Sequence, residues 1–311
     1  MYSIIALFIK YKSCMRSTKL MVKNKFNKEK GSESATLVQK NFNGLKDNVE
    51  NSFKYFLAAM FPYHFGDVAP ECSVCANLNL NNNNLIEKFA MQKAAINLEQ
   101  ALCRVIDDNL KVERVTQSLL DKLPEILRVL MTDVQAAYEG DPAAKSYDEV
   151  ILSYPAFIAI SAYRIAHELF IMQVPLVPRI MTEHAHKLTG IDIHPGATIG
   201  EYFFIDHGTG VVIGETSTIG CHVKLYQNVT IGAKSFQTAP DGSLVKGIKR
   251  HPDIGNNVVI YAGATILGGD TFIGDNSVIG GNVWLTHSVK AGSVVLNKTP
   301  ASLAELENKI N

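Results

Sequence analysis

The sequence predicts an α+β chain in which an all-helical N-terminal domain precedes a parallel β-helix built from hexapeptide repeats. Three observations carry this. Branched aliphatics recur every six residues from Ile193 to Ala291, helix formers without Gly or Pro fill Leu85 to Leu123, and one polar stretch interrupts the six-residue period. Counting in sixes gives Ile193, Ile199, Ile205 and Val211. A two-residue step then resets the frame to Ile213, Ile219, Leu225 and Ile231. After an interruption the period resumes at Ile254, Ile260 and Ile266, and a one-residue shift gives Leu267, Ile273, Ile279 and Leu285. Small or β-branched residues stand four places on (Ala197, Thr209, Ser217, Val223, Val229, Val258, Ala264, Ser277, Val283). Such a repeat makes one short flat face, and three faces close a triangular coil with the aliphatic pointing inward. A β-sandwich would instead alternate with period two between hairpin turns.

Taken in order, residues 1–84 read as a basic, poorly structured extension with an Asn-rich linker, although Phe53, Tyr55, Phe56, Leu57 and Phe61 suit a short helix ended by Pro62. Residues 85–190 form the helical domain. Pro124 suits a first turn, with Leu127, Leu130, Val134 and Ala137 following at helical spacing, and Gly140 with Asp141-Pro142 forbids continuation. A helix starting near Pro155 buries Ile158, Ala162, Ile165 and Leu169, and a last one follows Pro178 and stops before Gly190. The coil occupies 191–292 with an inserted loop at 232–253, and 293–311 is a polar tail. Solenoids accept insertions at corners, where they often carry function.

Composition excludes several classes. At 311 residues the length suits about two domains. A hydrophobic content of 47% allows a sizeable core, and zero net charge argues against nucleic acid or an acidic partner. The basic run Lys10 to Lys30 reads as a solvated tail, and the apolar opening is too short to span a bilayer. Its charges follow the apolar run, unlike a secretory signal, so a cytoplasmic setting with no membrane partner is expected. Five scattered cysteines (Cys14, Cys72, Cys75, Cys103, Cys221) agree with reduced thiols. Cys72 and Cys75 lack the further ligands a zinc site needs, and no metal is expected.

Polar groups stand in the coil where packing does not ask for them: Asp192, Asp206, His207 and the pair Arg250-His251. Asp192 and His207 fall within one turn of about eighteen residues. A histidine held by a carboxylate is a general base, because the acid fixes its tautomer and stabilises the imidazolium. A surface histidine in a turn is the plainer alternative. His184 and His186, two apart on a helix, face different sides, and His167 reads as a packed or capping group.

Asp192-Ile-His-Pro195, Ile205-Asp-His-Gly-Thr-Gly-Val-Val-Ile-Gly-Glu215 and Lys249-Arg-His-Pro252 closely resemble serine O-acetyltransferases. Asp141-Pro-Ala-Ala and Ala162-Tyr-Arg-Ile-Ala-His167 resemble that family's upstream signature, and the likeness covers roughly residues 85–300. The resemblance implies a left-handed β-helix and trimers that often pair into hexamers, with each active site between two subunits. It implies acetyl transfer from acetyl-CoA to the hydroxyl of L-serine, the first step of cysteine biosynthesis, without a metal. His207 matches the base and Asp192 its carboxylate, while Asp141, Asp206, Arg250 and His251 match the residues that hold the amino acid. A zwitterion suits them, its ammonium meeting carboxylates and its carboxylate a forked guanidinium. Gly232, Ala233, Lys234, Ala262, Gly263 and Gly281 match the acetyl-CoA edge, although the 232–253 break is longer than the family's Gly-Thr-Gly-type loop and carries an Asp241-Gly242 turn signal.

L-cysteine is the expected feedback inhibitor. Docking to O-acetylserine sulfhydrylase is expected to be weak, because Asn311 follows Ile310 and the family uses a terminal isoleucine carboxylate. Other readings are an acetyl-CoA-dependent acyltransferase acting on a sugar, a carbonic-anhydrase-type hydratase, and a non-catalytic scaffold. The first usually lacks the long helical domain and the Arg-His-Pro element. The second needs converging histidines, and His207, His222, His251 and His287 show no paired ligand spacing. The third has no use for charges between repeats.

Overall fold

A computed structural model describes residues 41–68 and 83–297. The basic N-terminal run, Cys14, Cys72, Cys75, most of the Asn-rich linker and the Ile310-Asn311 end lie outside the described residues. The described residues divide into two compact units, one of residues 41–68, 83–131 and 146–187 and one of residues 132–145 and 188–297.

The helical unit begins with α1 (Leu45–Met60), then a short α2 (Pro62–Phe65) and a 3-10 turn (Gly66–Val68). Residues 45–68 are therefore not part of a poorly structured extension. Val49, Phe53, Phe56, Leu57 and Ala58 of α1 are buried, and α1 packs on α3 (Asn83–Leu102). The stretch of helix formers from Leu85 to Leu123 holds parts of two helices. The α3 helix stops at Leu102, and Asp108 accepts from Leu110 N at 2.9 Å to begin α4 (Asn109–Gly140). Pro124 lies inside α4 rather than starting it. Its missing N–H and ring clash cost about 3 kcal/mol, but the stripe Leu119, Leu123, Ile126 and Leu130 is buried, each worth about 1.5–3 kcal/mol. Ile126, not Leu127, belongs to that stripe. An unforeseen helix α5 (Tyr147–Ser153) is capped by Ser146, which accepts from Glu149 N. The α6 (Pro155–Ile171) and α7 (Val177–Thr189) helices match expectation, except that Phe157 rather than Ile158 is buried. No single helix among the described residues is long and apolar enough to cross a membrane.

Among the described residues the coil unit holds fourteen short strands in three parallel sheets. Sheet A contains β1 (Asp192–Ile193), β4 (Val212–Ile213), β7 (Thr230–Gly232), β10 (Thr265–Leu267) and β13 (Trp284–Leu285). Sheet B contains β2 (Thr198–Ile199), β5 (Thr218–Ile219), β8 (Asp253–Ile254) and β11 (Phe272–Ile273). Sheet C contains β3 (Phe204–Ile205), β6 (Lys224–Leu225), β9 (Val259–Ile260), β12 (Val278–Ile279) and β14 (Val294–Val295). The registers stack the aliphatics: Ile193 on Ile213 on Ile231 on Ile266 on Leu285, for example. Each of these is at most 3% exposed, so the six-residue period is the core of a left-handed β-helix. Because β14 pairs with β12, the coil continues past the expected end at 292.

Both phase slips appear as extra residues at corners. Thr209 is exposed, and Val211 is buried as its place in the six-residue count implies. Asp206 N bonds Leu225 O and Asn228 N bonds Thr209 O, which aligns Asp206 with Tyr226 and Thr209 with Gln227. His207 and Gly208 are thus the two residues this corner has beyond the others.

Candidate active site

Two polar clusters lie on different edges of the triangular coil. The first is at the edge between sheets C and A. His207 stands there in the left-handed region (φ 60), its side chain 72% exposed, because it belongs to the extra pair rather than to the stack. The turn needs Gly208 beside it: φ is +86, and a Cβ would lie 2.4 Å from Ile191 Cδ1. Buried Asp206 points Oδ1 toward His207 Nε2 at 3.8 Å and Oδ2 toward Lys224 Nζ at 3.4 Å. Asp192 opens β1 two residues after Gly190, whose carbonyl accepts from Gly210 N at 2.8 Å, so it sits beside the same edge. Asp206 thus lies in ion-pair reach of both His207 and Lys224.

The end of α4 brings Asp141 to this unit. Thr132 Oγ1 accepts from Tyr202 N at 3.0 Å and Asp133 Oδ1 from Phe203 N at 2.9 Å. Lys224 Nζ donates to Gly140 O at 2.7 Å. Asp141 follows, its Oδ1 accepting from Ala143 N at 2.8 Å. Lys224 escaped the sequence reading because it occupies an ordinary outward strand position; the neighbouring aromatics Phe204 and Tyr226 were its one signal.

The second cluster is at the edge between sheets A and B, where 232–253 leaves the coil. The insertion forms a small hairpin: Thr238 bridges Leu244 antiparallel, and Asp241 Oδ1 accepts from Ser243 N at 2.9 Å, making the expected Asp241-Gly242 turn. The insertion returns as Lys249-Arg-His-Pro252, wedged between coils. A Cβ on Gly214 would lie 2.1 Å from His251 Cδ2, and one on Gly269 would lie 2.8 Å from Lys249 O. Thr216 is the hub, another residue the sequence did not mark. Its Oγ1 accepts from Arg250 N at 3.0 Å and His251 N at 3.1 Å, and lies 2.9 Å from His251 Nδ1. Thr216 N also donates to His251 Nδ1 at 3.0 Å. An Nδ1 that accepts leaves the proton on Nε2, so the ring is a neutral donor. Burial first, then the Arg250 charge, push the His251 imidazole down to about 4. Arg250 Nη2 meets Glu215 Oε2 at 2.5 Å. Burial acts to raise the Glu215 carboxyl, but the Arg250 hydrogen bond and the surrounding positive charges leave it below its ordinary value.

The six acetyl-CoA candidates divide likewise. Gly232, Ala233 and Lys234 begin the insertion at the A–B edge, whereas Ala262, Gly263 and Gly281 lie at the C–A edge with His207. A single coil therefore presents His207, Asp192 and Asp206 on one edge, and the Arg250-His251 pair on another.

Comparison with known proteins agrees with this geometry. Residues 77–162 match the family model described as serine acetyltransferase, N-terminal. A plasmid serine acetyltransferase of Synechococcus elongatus is 49% identical over 249 residues, 76% of each chain. Entamoeba histolytica serine acetyltransferase 1, solved in complex with L-cysteine, is 32% identical with a TM-score of 0.72, covering 92% of this chain and 97% of that one. A serine acetyltransferase of Neisseria gonorrhoeae solved with serine is 25% identical with a TM-score of 0.53, covering 87% and 100%. Identity at this level over most of both chains, on the same helical-plus-coil architecture, places the protein in the serine acetyltransferase family.

Proposed function

We propose that this chain transfers the acetyl group of acetyl-CoA to the hydroxyl of L-serine, giving O-acetylserine for cysteine biosynthesis. The observation that carries this is His207, set out from the stack by a two-residue insertion and flanked by a buried carboxylate. His207 takes the hydroxyl proton as the serine oxygen attacks the thioester carbonyl carbon. The tetrahedral intermediate expels the CoA thiolate, which receives the proton from the imidazolium, and no acyl-enzyme forms. Asp192, beside the same edge, stabilises the imidazolium. Asp141 and Asp206 receive the serine ammonium, and Arg250 with the neutral His251 Nε2–H receives its carboxylate. Gly232, Ala233, Lys234, Ala262, Gly263 and Gly281 line the acetyl-CoA path.

The two edges cannot serve one serine within a single coil. Three coils around a three-fold axis would set the C–A edge of one against the A–B edge of the next, so the working unit is a homotrimer, alone or paired. The described cysteines Cys103 and Cys221 are free thiols, in keeping with a cytoplasmic setting. The test is release of the CoA thiol with serine as acceptor. The wild type should be active with serine and not with sugar acceptors. His207→Ala should lose about 10²–10⁴ in turnover while still binding CoA. Wild-type turnover in that variant would refute the assignment, and Asp192→Asn should lower kcat more than it raises the serine KM.

A further inference from the structure

We propose that Lys224 is a positioning residue for the ammonium subsite, a reading that rests on serine being the acceptor. Its side chain is 20% exposed, and its ammonium reaches two acceptors, Gly140 O at 2.7 Å and Asp206 Oδ2 at 3.4 Å. It also stands 4.8 Å from the ring centre of Phe204 and 4.6 Å from that of Tyr226, within cation–π range of both. The Gly140 carbonyl is among the last of α4 and carries the negative end of the helix dipole. Gly140 also has no room to shift toward the coil, since a Cβ there would meet Phe204 Cδ1 at 2.9 Å.

Gly140 O and the Asp206 carboxylate are groups of one sign drawn toward one place, and the Asp141 carboxylate follows Gly140 in sequence. Without a cation they repel and splay, and the substrate ammonium would have to gather them as well as bind. Lys224 does the gathering in advance. It also engages Asp206 Oδ2, leaving Oδ1 directed toward His207. The lysine thereby orders Asp206 and the Gly140 carbonyl ahead of the substrate.

The test compares wild type with Lys224→Met, measuring KM for serine and for acetyl-CoA, thermal stability, and inhibition by 3-hydroxypropionate, which is serine without its ammonium. The serine KM should rise roughly three- to tenfold, less than for a direct charge-assisted contact because the lysine acts through Asp206. Acetyl-CoA KM and 3-hydroxypropionate inhibition should stay within about twofold. Lys224→Arg, which keeps the charge, should recover most of the loss. An unchanged serine KM would overturn the proposal. So would a fall, which would make the lysine a competitor of substrate, or equal weakening of 3-hydroxypropionate, which would make it a plain anchor. If Lys224→Met does not fold, Lys224→Gln, which retains a donor for Gly140 O, carries the same readouts. A wild type inactive with serine would sink the acceptor assignment and this proposal together, whereas an active wild type with an indifferent variant sinks only the lysine.

Discussion

Replacing Gly214 by alanine puts a methyl carbon 2.1 Å from Cδ2 and 2.2 Å from Nε2 of His251. Non-bonded carbons settle at about 3.5–4.0 Å, so the ring must retreat by more than an ångström. It cannot do so and keep Nδ1 within 3.0 Å of Thr216 N. Overpacking of this kind typically costs about 1–3 kcal/mol. The proposed contact of Nε2–H with the serine carboxylate goes with it, and such a bond is worth about 1.5–3 kcal/mol, or roughly ten- to a hundredfold in serine KM. Acetyl-CoA KM should move by less than about twofold. Titration gives an independent reading. The buried imidazole lies at about 4 against an ordinary 6.5, so the folded chain holds fewer protons than the unfolded chain between those values. Stability is therefore present above pH 6.5 and lost as pH falls toward 4, by roughly 3 kcal/mol at about 1.4 kcal/mol per unit. The lowered Glu215 carboxyl adds a loss of the same sign in acid. Gly214→Ala, by releasing the ring to water, should flatten the acid loss and return the imidazole toward its usual range. Denaturant midpoints near pH 7 and pH 4.5, with a proton NMR titration of the imidazole, measure both. Wild-type serine KM in Gly214→Ala, with His251 still titrating near 4, would refute the wedge argument.

L-cysteine, which differs from serine by sulfur for oxygen, should inhibit competitively with serine through Asp141, Asp206, Arg250 and His251. Steady-state inhibition at varied serine checks this, and inhibition that high serine cannot relieve would point to a separate site. Arg250→Ala should weaken serine and cysteine together by roughly tenfold or more, measured as KM and Ki in parallel. Light scattering should give at least three times the chain mass of 34.1 kDa, and a value near a single chain would remove the shared site.

Which parts of the molecule were legible in the sequence follows from what each signal measures. The six-residue period reports a repeated inward position, and every inward aliphatic from Ile193 to Leu285 on that count is buried except Leu267, which the one-residue shift turns partly outward. Helix existence was legible but helix limits were not. Pro124 suits a start because local propensity disfavours it in an interior, but tertiary burial of Leu119, Leu123, Ile126 and Leu130 outweighs propensity. The break after Leu102 had a signal in Asp108, an N-cap residue type that an unbroken run of helix formers concealed. The α1 helix shows in the sequence as a short aromatic helix, but its place in a core does not, because its partner α3 lies beyond the Asn-rich stretch.

The phase slips explain why the site was more legible than its supports. A solenoid whose corners all match has every polar backbone group committed to the coils above and below, and no residue free to reach a ligand. An irregularity at a corner is the cheapest departure, because it leaves the paired strands in register. The slip between Val211 and Ile213 is the sequence image of His207 and Gly208 leaving the stack, and the break after Ile231 is that of Arg250 and His251 being inserted between coils. Such irregularities are visible as a miscount. Lys224 and Thr216 interrupt nothing: each occupies a place the repeat would allot to any residue, and its importance arises only from what the slipped residues lay against it. In this repeat the candidate site groups stand where the count fails, and the residues they lie against stand where the count holds. Reading the supports therefore requires knowing which coils stack, as the pairing of Leu225 with Ile205 sets Lys224 beside the Asp206 turn.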